Sequence, residues 1–190
     1  MNPAIATNLC EARATLEQVA SLETQIVGAA GLISDALLSG NKLMACGNGG
    51  SAADASHLTT EFVCRFNKDR RPYPAISLAA QGGDLTAIGN DYEFNEIFSR
   101  QVEAFGRPGD ILIAFTTSGR SANVRRALVV ARDLKVKTIA FLGKDGGTCA
   151  GLADIELLVT GEVTARIQEG HQFLFHTICE MVEEQLQSRG

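Results

Sequence analysis

Three histidines occur in the 190-residue chain, and all fall in two segments that also carry acidic or amide side chains. His57 and Glu61 are four positions apart in a stretch patterned as helix, so they share one face. Gln168, Glu169, His171 and His176 lie in the closing segment, where Gln168 and His176, eight apart, fall close to one face of another helix. A lone His–Glu pair is more often a surface contact than a ligand set. Two clusters together offer two imidazoles, a carboxylate and an amide oxygen, a set that suits zinc or a similar divalent ion. Spacing alone leaves both readings open.

Two further stretches could hold a ligand. Gly47-Asn48-Gly49-Gly50-Ser51 follows a short apolar run and opens a helix, where glycines admit close backbone approach and a helix N-terminus favours an anion. Gly47-x-Gly49-x-x-Ala52 also fits a dinucleotide fingerprint, but the next strand ends Ser77-Leu78-Ala79-Ala80, without the acid that would hold a ribose; a nicotinamide cofactor is not expected. Thr116-Thr117-Ser118-Gly119-Arg120-Ser121 again lies between strand and helix. One hydroxyl there is ordinary capping, whereas four exceed what a cap needs and favour phosphate. No Gly-Lys-Ser/Thr follows, so this is not a nucleotide P-loop.

These residues require elements to position them. Residues 4–38 show helical spacing (Leu9, Leu16, Val19, Leu22, Ile26, Leu32, Ile33, Leu37), with a break expected near Gly28–Gly31 and an end at Gly40. Strands are predicted at 42–46, 74–78, 111–115, 138–142 and 155–159, and helices at 52–66, 93–105, 121–134 and 166–187. Short apolar strands alternating with helices imply parallel strands buried on both faces. The expected fold is α/β: a three-layer, doubly wound sheet of about five parallel strands flanked by helices, in one domain over 1–190. Ligands in such sheets bind beyond the strands' carboxyl ends, which points to loops 47–51, 79–91 and 116–121.

Composition narrows the class. Hydrophobic residues at 45% and charged residues at 21% fit a soluble globular chain. The net charge is −5 with scattered basic residues, which argues against a nucleic-acid partner. No run approaches the ~18 apolar residues of a membrane span, and the first nine residues lack a signal-peptide pattern. Five cysteines, at 10, 46, 64, 149 and 179, show no paired spacing, and reduced thiols in a cytoplasmic protein are expected.

The run Cys46-Gly47-Asn48-Gly49-Gly50-Ser51-Ala52-Ala53-Asp54, with His57 and Glu61, resembles the phosphoheptose (sedoheptulose 7-phosphate) isomerases of the sugar isomerase, or SIS, fold. The likeness continues through Arg71-Pro72, Gly89-Asn90-Asp91, Phe98-Ser99-Arg100, Thr117-Ser118-Gly119, Ser121-Ala122-Asn123, Gly143-Lys144-Asp145-Gly146-Gly147 and Arg166-Ile167-Gln168-Glu169. It spans nearly the whole chain. The resemblance implies metal ligation, usually of zinc, by His57, Glu61, Gln168 and His176, with Glu61 and His176 as the catalytic pair. It implies sugar contacts from Asn48, Gly49, Gly50, Asn90 and Asp91. It implies that Ser51, Thr116, Thr117, Ser118 and Ser121 hold the phosphate and adjoining chain. Glu61 and Gln168 would thus touch substrate as well as metal. It further implies a homotetramer with active sites shared between subunits, the N-terminal helices (about 4–38) contributing contacts, and a product destined for bacterial nucleotide-activated heptoses.

The chain departs from many relatives at Thr116, a serine there, and at Arg120, a small amide there; the sequence leaves open whether Arg120 meets phosphate or solvent. In the implied reaction Glu61 moves a carbon-bound proton through an enediol and His176 serves the oxygens, a division of labour that a carboxylate in a dry cleft can support. A non-catalytic SIS adaptor that binds a DNA-replication initiator is the rival reading, weakened by the retained acid–base residues. A sugar-phosphate sensor ranks lower, since no helix-turn-helix fits before residue 40.

Overall fold

The computed structural model describes residues 1–189. Five parallel strands form its centre: β1 (Leu43–Gly47), β2 (Ala75–Ser77), β3 (Ile111–Thr116), β4 (Lys137–Gly143) and β5 (Ile155–Val159), in the order β2–β1–β3–β4–β5. Around them lie α1 (Pro3–Val19), α2 (Glu23–Leu38), α3 (Gly50–Val63), α4 (Gly82–Asp91), α5 (Ser99–Phe105), α6 (Ala122–Asp133) and α7 (Thr164–Arg189). The expected sheet, its parallel sense and its flanking helices are all present.

Side chains alternate across a strand, so one apolar run feeds two cores. Leu43, Ala45, Ile111, Ile113, Phe115, Ile139 and Phe141 join α1, α2, α3 and α7 on one face. Met44, Cys46, Leu112, Ala114, Ala140 and Leu142 join α4, α5 and α6 on the other. Central β1 and β3 are buried throughout, as strands covered on both faces must be. The order reverses between β1 and β3, which makes their carboxyl ends the switch-point crevice of an open α/β sheet.

Three local expectations need correction. The N-terminal helices part at a 3₁₀ turn over Ala20–Leu22, while Gly28 and Gly31 lie inside α2. A helical glycine costs about 1 kcal/mol relative to alanine, which burial of Ile26, Ala29, Ala30, Ile33 and Leu37 outweighs. At the actual break Ser21 Oγ donates back to the Gln18 carbonyl at 2.7 Å, an alternative to continued helix. Second, the expected loop 79–91 is largely helix, α4, whose Gly82-Gly83 start and lack of fully buried residues hid it. Third, the single helix expected over 93–105 is a 3₁₀ turn at Phe94–Glu96 followed by α5. Gly40 does end α2, at φ +82°.

All five cysteines are free, with Cys46, Cys149 and Cys179 buried and Cys10 and Cys64 exposed. Among the described residues no helix is long and apolar enough to cross a membrane.

Candidate active site

The two glycine- and hydroxyl-rich loops meet at the switch point. Asn48 and Asn123 exchange amide hydrogen bonds: Asn48 Nδ2 donates to Asn123 Oδ1 at 2.8 Å, and Asn123 Nδ2 donates to Asn48 Oδ1 at 2.9 Å. This pair laces the start of α3 to the start of α6. Gly49 holds φ +57° and ψ −121°, a conformation open to glycine alone. Gly50 has no room for a side chain, because a Cβ there would run into the Gln168 amide. Ser51 is buried in the first turn of α3.

In the second loop the hydroxyls face one another: Thr116 Oγ1 lies 3.1 Å from Ser121 Oγ and 3.4 Å from Ser118 Oγ. Ser121 occupies the N-cap position of α6 yet makes no side-chain capping bond. Ordinary capping therefore does not account for its hydroxyl, and the helix end keeps free N–H groups that attract an anion. Thr117 is half-buried in the same loop. Arg120 turns away from these hydroxyls: Nη1 and Nη2 donate to Asp145 Oδ1 and Oδ2 at 2.8 and 2.7 Å. That pairing holds the Asp145 carboxyl down at about 2. Arg120 thus clips the hydroxyl loop to the loop after β4.

The residues expected to act as acid and base, Glu61 and His176, lie farther along α3 and on α7. The two helices run alongside each other, touching at the level of Gly50 and Gln168 and again at His57 and His176. His57 Nε2 is 2.9 Å from Glu61 Oε1 and 3.4 Å from His176 Nε2. One donor atom from each of the three residues falls within 4.8 Å of the others. Two imidazole nitrogens converging on a carboxylate form a donor set suited to a divalent cation, and the residues fit such an ion. Phe175 and Phe66 flank the imidazoles: Phe175 packs edge-on to His57 at 5.3 Å, and Phe66 lies 5.7 Å from His176. Burial and the neighbouring His57 lower the His176 pKa, against the pull of Glu61.

Not every expected residue joins this cluster. Gln168 stands two turns before His176 on α7, about 12 Å along the axis, beside Gly50 and Asp54. Asn90 and Asp91 end α4 on the other face of the sheet, exposed, with Asn90 Nδ2 donating to Asp91 Oδ1 at 2.7 Å. His171 is fully buried in α7 and bonds the Leu142 carbonyl.

Residues 9–143, more than half of the chain, match the SIS domain family. A phosphoheptose isomerase from Geotalea daltonii is 50% identical over 165 residues, covering 87% of this chain and 86% of the relative. Another from Aquifex aeolicus is 53% identical over 166 residues, covering 87% of each. The chain belongs to the phosphoheptose isomerase family. A solved phosphoheptose isomerase from Francisella tularensis aligns with a TM-score of 0.92 at 36% identity, covering 95% of this chain and 97% of that one.

Within this phosphoheptose isomerase fold, the sequence reading assigned no role to several neighbours of the site. Asn123 is read as one residue of a motif, but its bond to Asn48 crosses 75 positions of sequence. Asp54 is buried with one oxygen, Oδ2, lacking a hydrogen-bond partner, and burial raises its pKa despite Gln168 and His57 nearby. Its place three residues before His57, on the same helical face, was the available signal. A groove of about 690 Å³ lies at the opposite, amino end of the strands beside Lys42, Tyr73 and Phe105, away from these residues.

Proposed function

We propose that the groove between α3 and α7, together with the two switch-point loops, interconverts sedoheptulose 7-phosphate and D-glycero-D-manno-heptose 7-phosphate for bacterial nucleotide-heptose synthesis. The observation that carries this reading is the meeting of Glu61, His57 and His176 in one chain. The phosphate end sits on Thr116, Thr117, Ser118, Ser121 and Ser51, at the N-termini of α6 and α3. Asn48, Gly49, Gly50 and Gln168 meet the sugar chain, and Asn90 and Asp91, exposed on the other face of the sheet, would meet a sugar where the site is shared between copies. Ser51 and Glu61 are separated by ten residues of α3, about 15 Å of axial rise, so a tail phosphate places distant carbons near the acid–base pair.

Glu61 removes the proton from one carbon and returns it to its neighbour, and His176 passes protons between the two oxygens. Glu61 Oε1 faces His57, which leaves Oε2 for this work. His57, Glu61 and His176 would hold a zinc ion, which when bound supplies Lewis acidity at the carbonyl oxygen, and Gln168, about 12 Å away along α7, would join such a ligand set only where a site is shared between copies. The intact acid–base trio supports catalysis over the adaptor reading, since a scaffold has no use for it.

We also propose a homotetramer with shared active sites. Leu16, Val27 and Phe173 are 40%, 49% and 48% exposed around an apolar groove across α1, α2 and α7, a face that a second copy would cover. Placement in the cytoplasm is supported by five free thiols.

Turnover of C5, C6 and C7 ketose phosphates by purified protein tests the assignment. Sedoheptulose 7-phosphate should be turned over fastest, activity should fall after chelation and return with zinc. Preference for a shorter sugar would overturn the substrate, and full activity in metal-free protein would overturn the ion.

A further inference from the structure

The third level of contact between α3 and α7 is a buried ionic clasp that none of the proposed chemistry uses. Arg70 and Glu183 pair at 3.2 Å between Nε and Oε1, with side chains only 7% and 3% exposed. Glu183, on α7, also accepts three successive backbone N–H groups: Phe66 at 3.2 Å, Asn67 at 2.9 Å and Lys68 at 2.8 Å. Beyond Glu183, the Arg70 guanidinium donates to the Arg71 carbonyl at 3.1 Å and to the end of α3. Nη1 donates to the Phe62 carbonyl at 3.0 Å, and Nη2 donates to the carbonyl of Glu61 itself.

A helix C-terminus leaves carbonyls without intrahelical partners and carries partial negative charge, so a guanidinium there is a strong cap. This cap closes the turn that carries Glu61. Its counter-ion stands on the helix that carries His176, two turns further along. The segment that Glu183 gathers also brings the Phe66 ring against His176. One ionic pair thereby ties together the backbone of Glu61, the helix of His176 and an aromatic wall of that imidazole.

We infer that Arg70 and Glu183 are positioning residues that set the separation of Glu61 and His176. The claim rests on the α3–α7 groove being the isomerase site. A buried carboxylate with four donors has no equivalent in an amide, so Glu183→Gln leaves donors facing an NH₂ group and loosens the clasp. Arg70→Lys keeps the charge but not the planar fork that reaches Glu61 and Glu183 together.

The test compares wild type, Glu183→Gln, Arg70→Lys and a control, Asp110→Asn. Asp110 is also a buried carboxylate; it accepts the Lys42 and Arg107 backbone N–H groups at 3.0 and 2.8 Å, at the amino end of the sheet. A purely structural role predicts that the clasp variants and the control lower Tm alike and leave kcat alone. Positioning predicts that only the clasp variants lose kcat, by about ten- to a hundredfold with KM changed less than about twofold. They should also lose zinc affinity by about tenfold in competition with a chelator, because the same side chains hold both. Wild-type kcat and zinc affinity in folded Glu183→Gln would overturn the inference; if that variant fails to fold, Arg70→Lys decides on the same readings. Wild-type protein that binds zinc without turning over the heptose would refute the substrate while the affinity comparison still judged the clasp. Wild type doing neither would leave no site to position, and both readings would fall.

Discussion

His171 shows how a residue type can mislead. It is one of three histidines and sits between two residues proposed for the site, yet it is buried among Phe115 and Phe141. Its Nε2 lies 2.9 Å from the Leu142 carbonyl, so that nitrogen carries the proton, and Nδ1 is buried without a partner. Protonating Nδ1 would strand a charge in apolar packing, and burial drops the pKa from 6.5 to about 4. The unfolded chain binds this proton more readily, so the stabilisation is complete above pH 6.5 and is lost as pH falls towards 4. The shift is worth about 3 kcal/mol. In His171→Gln, which keeps a donor for the carbonyl but cannot titrate, the fall in Tm between pH 7 and pH 4.5 should shrink markedly. An unchanged pH slope would show that other groups cause it.

At the scale of elements, the site depends on how helices pair, and that was the least legible part. The histidine and carboxylate positions could be read from spacing, and the strands from apolar runs. The level pairing of α3 with α7 could not, because it joins residues such as His57 and His176 that are 119 positions apart. The clasp was invisible for the same reason: Arg70 lies in a charged loop and Glu183 among other acids near the C-terminus, with nothing local to mark either as buried. The α4 helix escaped notice because paired glycines at its start outweighed a weak apolar pattern of Leu85 and Ile88. Where a reciprocal amide pair joins two elements, a sharper prediction is possible. The Asn48–Asn123 exchange holds the N-termini of α3 and α6 in register, so Asn123→Ala, which removes both hydrogen bonds of the pair, should raise KM for the sugar phosphate by roughly tenfold or more. A KM equal to that of the parent would show that the loops need no lacing.

For the whole molecule, the sheet order converts sequence motifs into a site. Glycine and hydroxyl loops on neighbouring strands β1 and β3 open one crevice, and the helix leaving β1 runs from that crevice to His57 and Glu61. The α1, α2 and α7 face stays apolar and open, while the other face is closed by α4, α5 and α6. The proposed transfer of a proton between adjacent carbons by Glu61 depends on this architecture. It is tested most directly by running the reaction in D₂O and following deuterium at the sugar carbons by NMR. Wild-type protein should place solvent deuterium at the carbon that accepts the proton, and Glu61→Gln, folded and still binding phosphate ligands, should place none. Undiminished exchange in that variant would assign the proton to another group and contradict the account.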